Sequence, residues 1–292
     1  MKTTLLAAAL SLAFAAPALT AEPVTGYAPV NGLQMYYEIH GEGEPLLLLH
    51  GAYMSIGSNW AGLIPTLSQT RQVIAVELQA HGRTGDADRP ITYAGMADDV
   101  AALMDHLKVE DAAVFGYSMG GGVALRLAMQ HPEKVSRLIA ASAAINYDAY
   151  PDDFYSMIEG FTPEMFKGSP FEAEYLKLSP NKDGFPNLVD KLKALDLDRF
   201  AWPEADLAKI AVPSLLIFGD ADIVKPEHQV QMHKLLGGVL NGDMTGLPKT
   251  QILVLPGTTH IGVFFNPANV EIMKSVIPAF LTQQLPAPPM AM

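Results

Sequence analysis

No cysteine occurs in the 292 residues, which excludes a disulfide scaffold, thiolate chemistry and a cysteine-built zinc site. Charge is also sparse. Asp, Glu, Lys and Arg make up 17% of the chain, and 19 basic residues against 31 acidic ones leave a net charge of −12. This balance argues against nucleic acid and anionic membrane surfaces as partners. Beyond the N-terminus there is no apolar run long enough to anchor the chain stably in a membrane, and no internal repeat. Hydrophobic residues make up 49%, enough for a sizeable core and too many for wholesale disorder. The length suits one large α/β domain, or a domain with an insertion.

The first residues read as an address. Lys2 supplies a positive start, Leu5 to Ala16 is an apolar run, and Ala16-Pro17-Ala18 and Leu19-Thr20-Ala21 offer small-residue cleavage sites. This is the layout of a secretory signal peptide over residues 1–21, too short to span a bilayer. Cleavage after Ala21 is favoured because Glu22-Pro23 opens a polar segment, with Ala18 as the alternative. The expected location is outside the cytoplasm, periplasmic or secreted, with the fold relying on its core alone.

Alternation of Leu33, Met35, Tyr37 and Ile39 predicts a hairpin of half-exposed strands between Gly26 and Ile39. Leu46 to Leu49 is uninterrupted and apolar, as in a strand covered on both faces. A helix is expected around Ser58 to Leu67, a strand over Gln72 to Val76, and a helix over Thr92 to Leu107 with Thr92 as its cap. Further strands are expected at Val135 to Ala141, Ser214 to Phe218 and Ile252 to Leu255, with a last helix over Val270 to Leu281 and a frayed tail over 285–292. Strands alternating with helices imply a mostly parallel, doubly wound sheet with ligands beyond the carboxyl ends of its strands.

The chemistry centres on Gly116-Tyr117-Ser118-Met119-Gly120, between the β-prone run Ala112 to Phe115 and the helix-forming run Val123 to Gln130. A strand that turns sharply into a helix strains its central residue and exposes that side chain at the sheet's edge. The glycines stand where a side chain would collide with neighbouring backbone. The first helical amide, Met119 N–H, then points at whatever Ser118 attacks.

From Ala144 to Pro203 the alternation stops and helical stretches are separated by Pro and Gly. Eleven of the chain's 24 aromatic residues lie here, from Tyr147 to Trp202. Residues 144–203 are therefore expected to form a helical cap over a core made of 22–143 and 204–284. Most of these rings should form the insertion's own core, with about three or four facing a pocket.

With these motifs in place, the chain from about Tyr27 to Leu281 resembles a capped serine hydrolase of the α/β-hydrolase superfamily, in its esterase, lactonase and haloperoxidase-like group. The resemblance rests on His50-Gly51 after a strand, the Ser118 elbow, Gly219-Asp220-Ala221-Asp222 after a strand and His260 after the last strand. Nucleophile, acid and histidine follow one another in the family's order. It implies the α/β-hydrolase fold, with Ser118 as nucleophile, His260 as base and Asp222 as orienting acid; Asp220 ties down the loop, with the reverse assignment left open. It implies an oxyanion hole of the Ala52 and Met119 amides, and makes His50 a shaper of that loop. His81 is expected to be structural, His106 and His131 to cap or face solvent, and His228 and His233 to sit on a helix surface. Glu77 and Ala80 depart from the family's Asp-x-x-Gly loop, and Thr259 replaces the glycine often found before the histidine.

The implied substrate is a small-molecule carboxylic ester or lactone with an apolar or aryl group. Tyr53, Met54, Met119, Ile223 and Phe264 are expected as wall residues, and no cofactor or metal is called for. The same three side chains also serve C–C bond hydrolysis and perhydrolase or haloperoxidase chemistry, and some proteins of the fold are slow-turnover receptors.

Overall fold

The computed structural model describes residues 22–238 and 241–284. Residues 1–21, expected as a signal peptide, and 285–292, expected as a frayed tail, lie outside the described residues. The chain opens with an antiparallel hairpin, β1 (Val24–Val30) and β2 (Leu33–His40). Asn31 and Gly32 make its turn, both at positive φ (46° and 84°), as a two-residue turn matched to strand twist requires.

β3 (Glu44–Leu49) leads through α1 (Ile56–Trp60) and α2 (Ile64–Leu67) to β4 (Arg71–Val76). The single helix expected over Ser58 to Leu67 is thus two short ones. Pro65 stands in the first turn of α2, where its missing N–H costs nothing, and it does not fit inside a continuous helix. α3 (Tyr93–Leu107), β5 (Ala112–Tyr117), α4 (Met119–Gln130) and β6 (Val135–Ala141) follow. The expected cap is there: Thr92 Oγ1 accepts the Gly95 N–H at 3.0 Å.

After β6 come α5 (Phe154–Glu159), α6 (Pro170–Leu178), α7 (Phe185–Leu197) and α8 (Glu204–Leu207). The chain then returns to the sheet with β7 (Ser214–Ala221), α9 (Pro226–Leu235), α10 (Gly242–Thr245), β8 (Thr250–Thr259), α11 (Gly262–Phe265) and α12 (Pro267–Thr282). The sheet order is β1-β2-β4-β3-β5-β6-β7-β8. β1, β2 and β4 pair antiparallel, and every later pairing is parallel.

Alternate residues of one strand feed two separate cores. Leu47 and Leu49 pack with α3 and α4, whereas Leu46 and Leu48 pack with α1, α2 and α12. That double burial is why the central strands read as unbroken apolar runs.

The segment between β6 and β7 leaves and rejoins the core at one place. Tyr147 N–H donates to Phe200 O at 2.8 Å, and Trp202 N–H to Ile145 O at 3.1 Å. Its rings divide more evenly than expected. Phe154 and Tyr155 form a small core with Ile158, against which Tyr147, Tyr150 and Phe161 pack. Tyr175 and Phe185 join the main core instead, along with Leu188, Val189 and Leu192 of α7.

His228 is a correction. It is buried, not on the surface of α9, because its Nε2 accepts the Ile145 N–H at 3.2 Å where the helical segment begins. His233 is half-buried against Thr250 O.

Candidate active site

β5 ends in the turn anticipated from its glycines. Ser118 has φ 52° and ψ −118°, a backbone state that costs energy and persists only where the surroundings impose it. A Cβ on Gly116 would stand 2.0 Å from Gly120 O, and one on Gly120 would stand 2.1 Å from Leu49 O. Helix, elbow and β3 approach so closely that only hydrogen fits. Ser118 N–H donates to Ala141 O at 2.8 Å, fixing the elbow to the end of β6.

Three side chains from distant parts of the chain meet here. Ser118 Oγ lies 2.9 Å from His260 Nε2, and His260 Nδ1 lies 2.7 Å from Asp222 Oδ1. An ionised carboxylate only accepts, so Nδ1 carries the proton and Nε2 accepts the serine O–H. Burial alone would push the Asp222 carboxyl up. Its bonds from His260, from Ser142 Oγ at 2.6 Å and from Val224 N–H at 3.2 Å outweigh burial and hold it below the usual carboxylate range. Tyr117 Oη donates to His260 O at 2.9 Å, bracing the histidine loop against the elbow strand.

Asp220 stands apart from this group. It is exposed, and its two oxygens accept the N–H groups of Gly257 and Thr258 at 2.9 and 2.8 Å. These backbone bonds lower its pKa and tie the end of β7 to the end of β8, just before His260.

Ala52 and Met119 face the same cavity as Ser118, and neither amide donates to another backbone group among the described residues. The next amide along, Tyr53 N–H, is taken by His81 Nε2 at 3.1 Å. His50 lies beneath this loop, its Nδ1 on Gly51 O at 2.8 Å and its Nε2 accepting from Leu78 N–H at 3.0 Å. Burial pushes His50 down to about 3 and His81 down to about 4, so both are neutral struts. Glu77 is buried beside Arg83. Burial raises its carboxyl to about 7 against the pull of Arg83.

The cavity holds about 530 Å³, and Tyr53, Met54, Met119 and Ile223 lie in its wall as expected. Phe264 does not. Its ring packs in the layer below, 4.5 Å from Tyr117 and 5.0 Å from Trp60, because α11 turns that side chain toward α1 and the sheet. Five rings of the helical segment line the cavity, not three or four: Tyr150, Phe154, Phe161, Phe166 and Phe171. Sequence reasoning also missed Tyr93, Ser142 and Asp196 in this wall, none of which sits in a recognisable motif. Among the described residues no group of three or more His, Asp or Glu is placed to hold a metal ion, and no helix is long and apolar enough to cross a membrane.

A family model described as the alpha/beta hydrolase fold matches residues 44–180. The chain is 27% identical over 257 residues to the pimeloyl-[acyl-carrier protein] methyl ester esterase of Yersinia enterocolitica, covering 80% of this chain and 93% of that one. It is 36% identical over 126 residues to an uncharacterised protein of Mycobacterium tuberculosis, a match that takes in 42% of this chain and only 36% of the relative's length. The solved enol-lactonase from Burkholderia xenovorans superposes with a TM-score of 0.65 at 21% identity, over 88% of this chain and all of that one.

Proposed function

Since the chain is a protein of the α/β-hydrolase fold, we propose that it is a serine hydrolase cleaving a carboxylic ester or lactone with an apolar or aryl group. The single observation that supports this reading most is the continuous relay Ser118–His260–Asp222, with contacts of 2.9 and 2.7 Å, opening into an aromatic cavity. In this mechanism the Ser118 oxygen attacks the acyl carbon while His260 Nε2 takes its proton. Asp222 holds the imidazole in the productive tautomer and stabilises the imidazolium. The Ala52 and Met119 amides receive the oxyanion, and each such donor contributes about 10²–10³ in rate. His260 then protonates the leaving alcohol, and water activated by the same imidazole releases the acyl group.

Similarity to proteins named as an esterase and an enol-lactonase adds support. The test is purified protein against p-nitrophenyl esters of graded length, aryl esters, lactones and a meta-cleavage product. Ester or lactone turnover that falls by at least about 10⁴-fold in Ser118→Ala is the expected result. Turnover that survives the substitution removes the mechanism, and activity confined to the meta-cleavage product removes the ester assignment while keeping the relay.

A further inference from the structure

The carboxyl group that the mechanism does not use is Asp196. It stands in the last turn of α7 and in the wall of the cavity that holds Ser118 and His260. The acids whose side chains are closed off from solvent have partners: Asp222 has His260, Asp99 has Arg89 and Glu77 has Arg83. The Asp196 carboxyl group makes no hydrogen bond or ion pair among the described residues. The cavity wall contains no Lys or Arg, so the protein supplies no fixed counter-charge there.

Three costs fall on this one side chain. Asp196 is half-buried in the cavity wall, so its charge is partly withdrawn from water, left without a partner, and placed at the negative end of a helix. Burial accordingly raises its pKa to about 7, with His260 pulling weakly the other way. Its charge reaches the phenols of Tyr53, Tyr93 and Tyr150, whose ionisation it opposes. All three rings line the same cavity, and the buried Tyr53 hydroxyl has no partner of its own. An unpaired carboxylate, a helix C-terminus and the faces of aromatic rings all attract one kind of guest, a cation.

We propose that Asp196 with Tyr53, Tyr93 and Tyr150 forms a cation subsite inside the cavity, and that the substrate carries a protonated or quaternary amine on its apolar or aryl body. The ester bond in this substrate rests on the hydrolase reading above; capture of the amine does not.

Two measurements separate the claims. In the first, benzyltrimethylammonium is titrated into Ser118→Ala and into wild type by calorimetry at pH 8. Binding that weakens at least tenfold in Asp196→Asn supports the subsite, and absence of binding to both proteins overturns it. In the second, kcat/KM for butyrylcholine is compared with that for its uncharged isostere, 3,3-dimethylbutyl butyrate. The expected ratio is ten or more in wild type and near one in Asp196→Asn. A ratio near one in wild type, or one unchanged by the substitution, overturns the proposal. If neither ester is cleaved yet the ammonium binds through Asp196, the subsite stands, and the hydrolase reading is decided by the ester and lactone panel with Ser118→Ala. A purely structural carboxyl would lower the melting temperature when replaced, whereas Asp196→Asn is expected to raise it at pH 8.

Discussion

Asp220 and Asp222 have only Ala221 between them and are opposite in circumstance. Asp222 is shut away from water and takes hydrogen bonds from an imidazole and a hydroxyl, whereas Asp220 lies in solvent and holds two backbone amides. On the proposed mechanism Asp222→Asn, which favours the wrong histidine tautomer, lowers kcat by a factor on the order of 10⁴. Asp220→Asn is expected to leave kcat within roughly tenfold and to lower the melting temperature. Paired ester kinetics and thermal scans check both. The choice between these aspartates was legible only through the order and spacing of motifs. Phe264 was misread because a four-residue helix offers no periodicity to say which way a ring points. Asp196 was invisible because it is one of two aspartates in α7, and only tertiary packing leaves it without a partner in the cavity wall.

The elements themselves were far more legible, because the physics behind them is local. Leu46 to Leu49 of β3 and the whole of β5 are covered on both faces and read as apolar runs, and Thr92 announces α3. Boundaries were less exact where neighbours intervene: β8 runs to Thr259, carried past its apolar stretch by pairing with β7. The elbow gives a sharp prediction at this scale. Gly120→Ala drives a Cβ into Leu49 O and is expected to cost more than about 3 kcal/mol, or to prevent folding. Gly168→Ala, at φ 75° with nothing within 4 Å, is expected to cost about 1 kcal/mol, for backbone strain alone. Denaturant unfolding of the two variants checks the contrast, and equal costs would mean that close packing is not what demands glycine at the elbow.

Across the whole molecule, buried histidines link the fold to pH. His228 anchors the helical segment to α9 and is pushed down by burial to about 4 from an ordinary 6.5. Its neutral form is the one the fold accepts, so its contribution is present above pH 6.5 and is lost as pH falls toward 4. Between pH 7 and pH 5 that loss is about 2 kcal/mol. His228→Gln keeps an acceptor for the Ile145 amide and removes the titration. Its unfolding free energy is expected to fall less than that of wild type over this range, by about that amount, in denaturant melts at each pH. Equal slopes would show that the ring does not titrate with folding.

The central claim, that a hydroxyl on a strained elbow is activated from across the sheet, is tested most directly by covalent labelling. The protein is treated with a fluorophosphonate probe and the adduct mapped by mass spectrometry. A single adduct on Ser118, formed at least 10²-fold more slowly in His260→Gln, is the predicted result. Labelling of a different serine, no labelling, or a rate indifferent to the loss of His260 would contradict it.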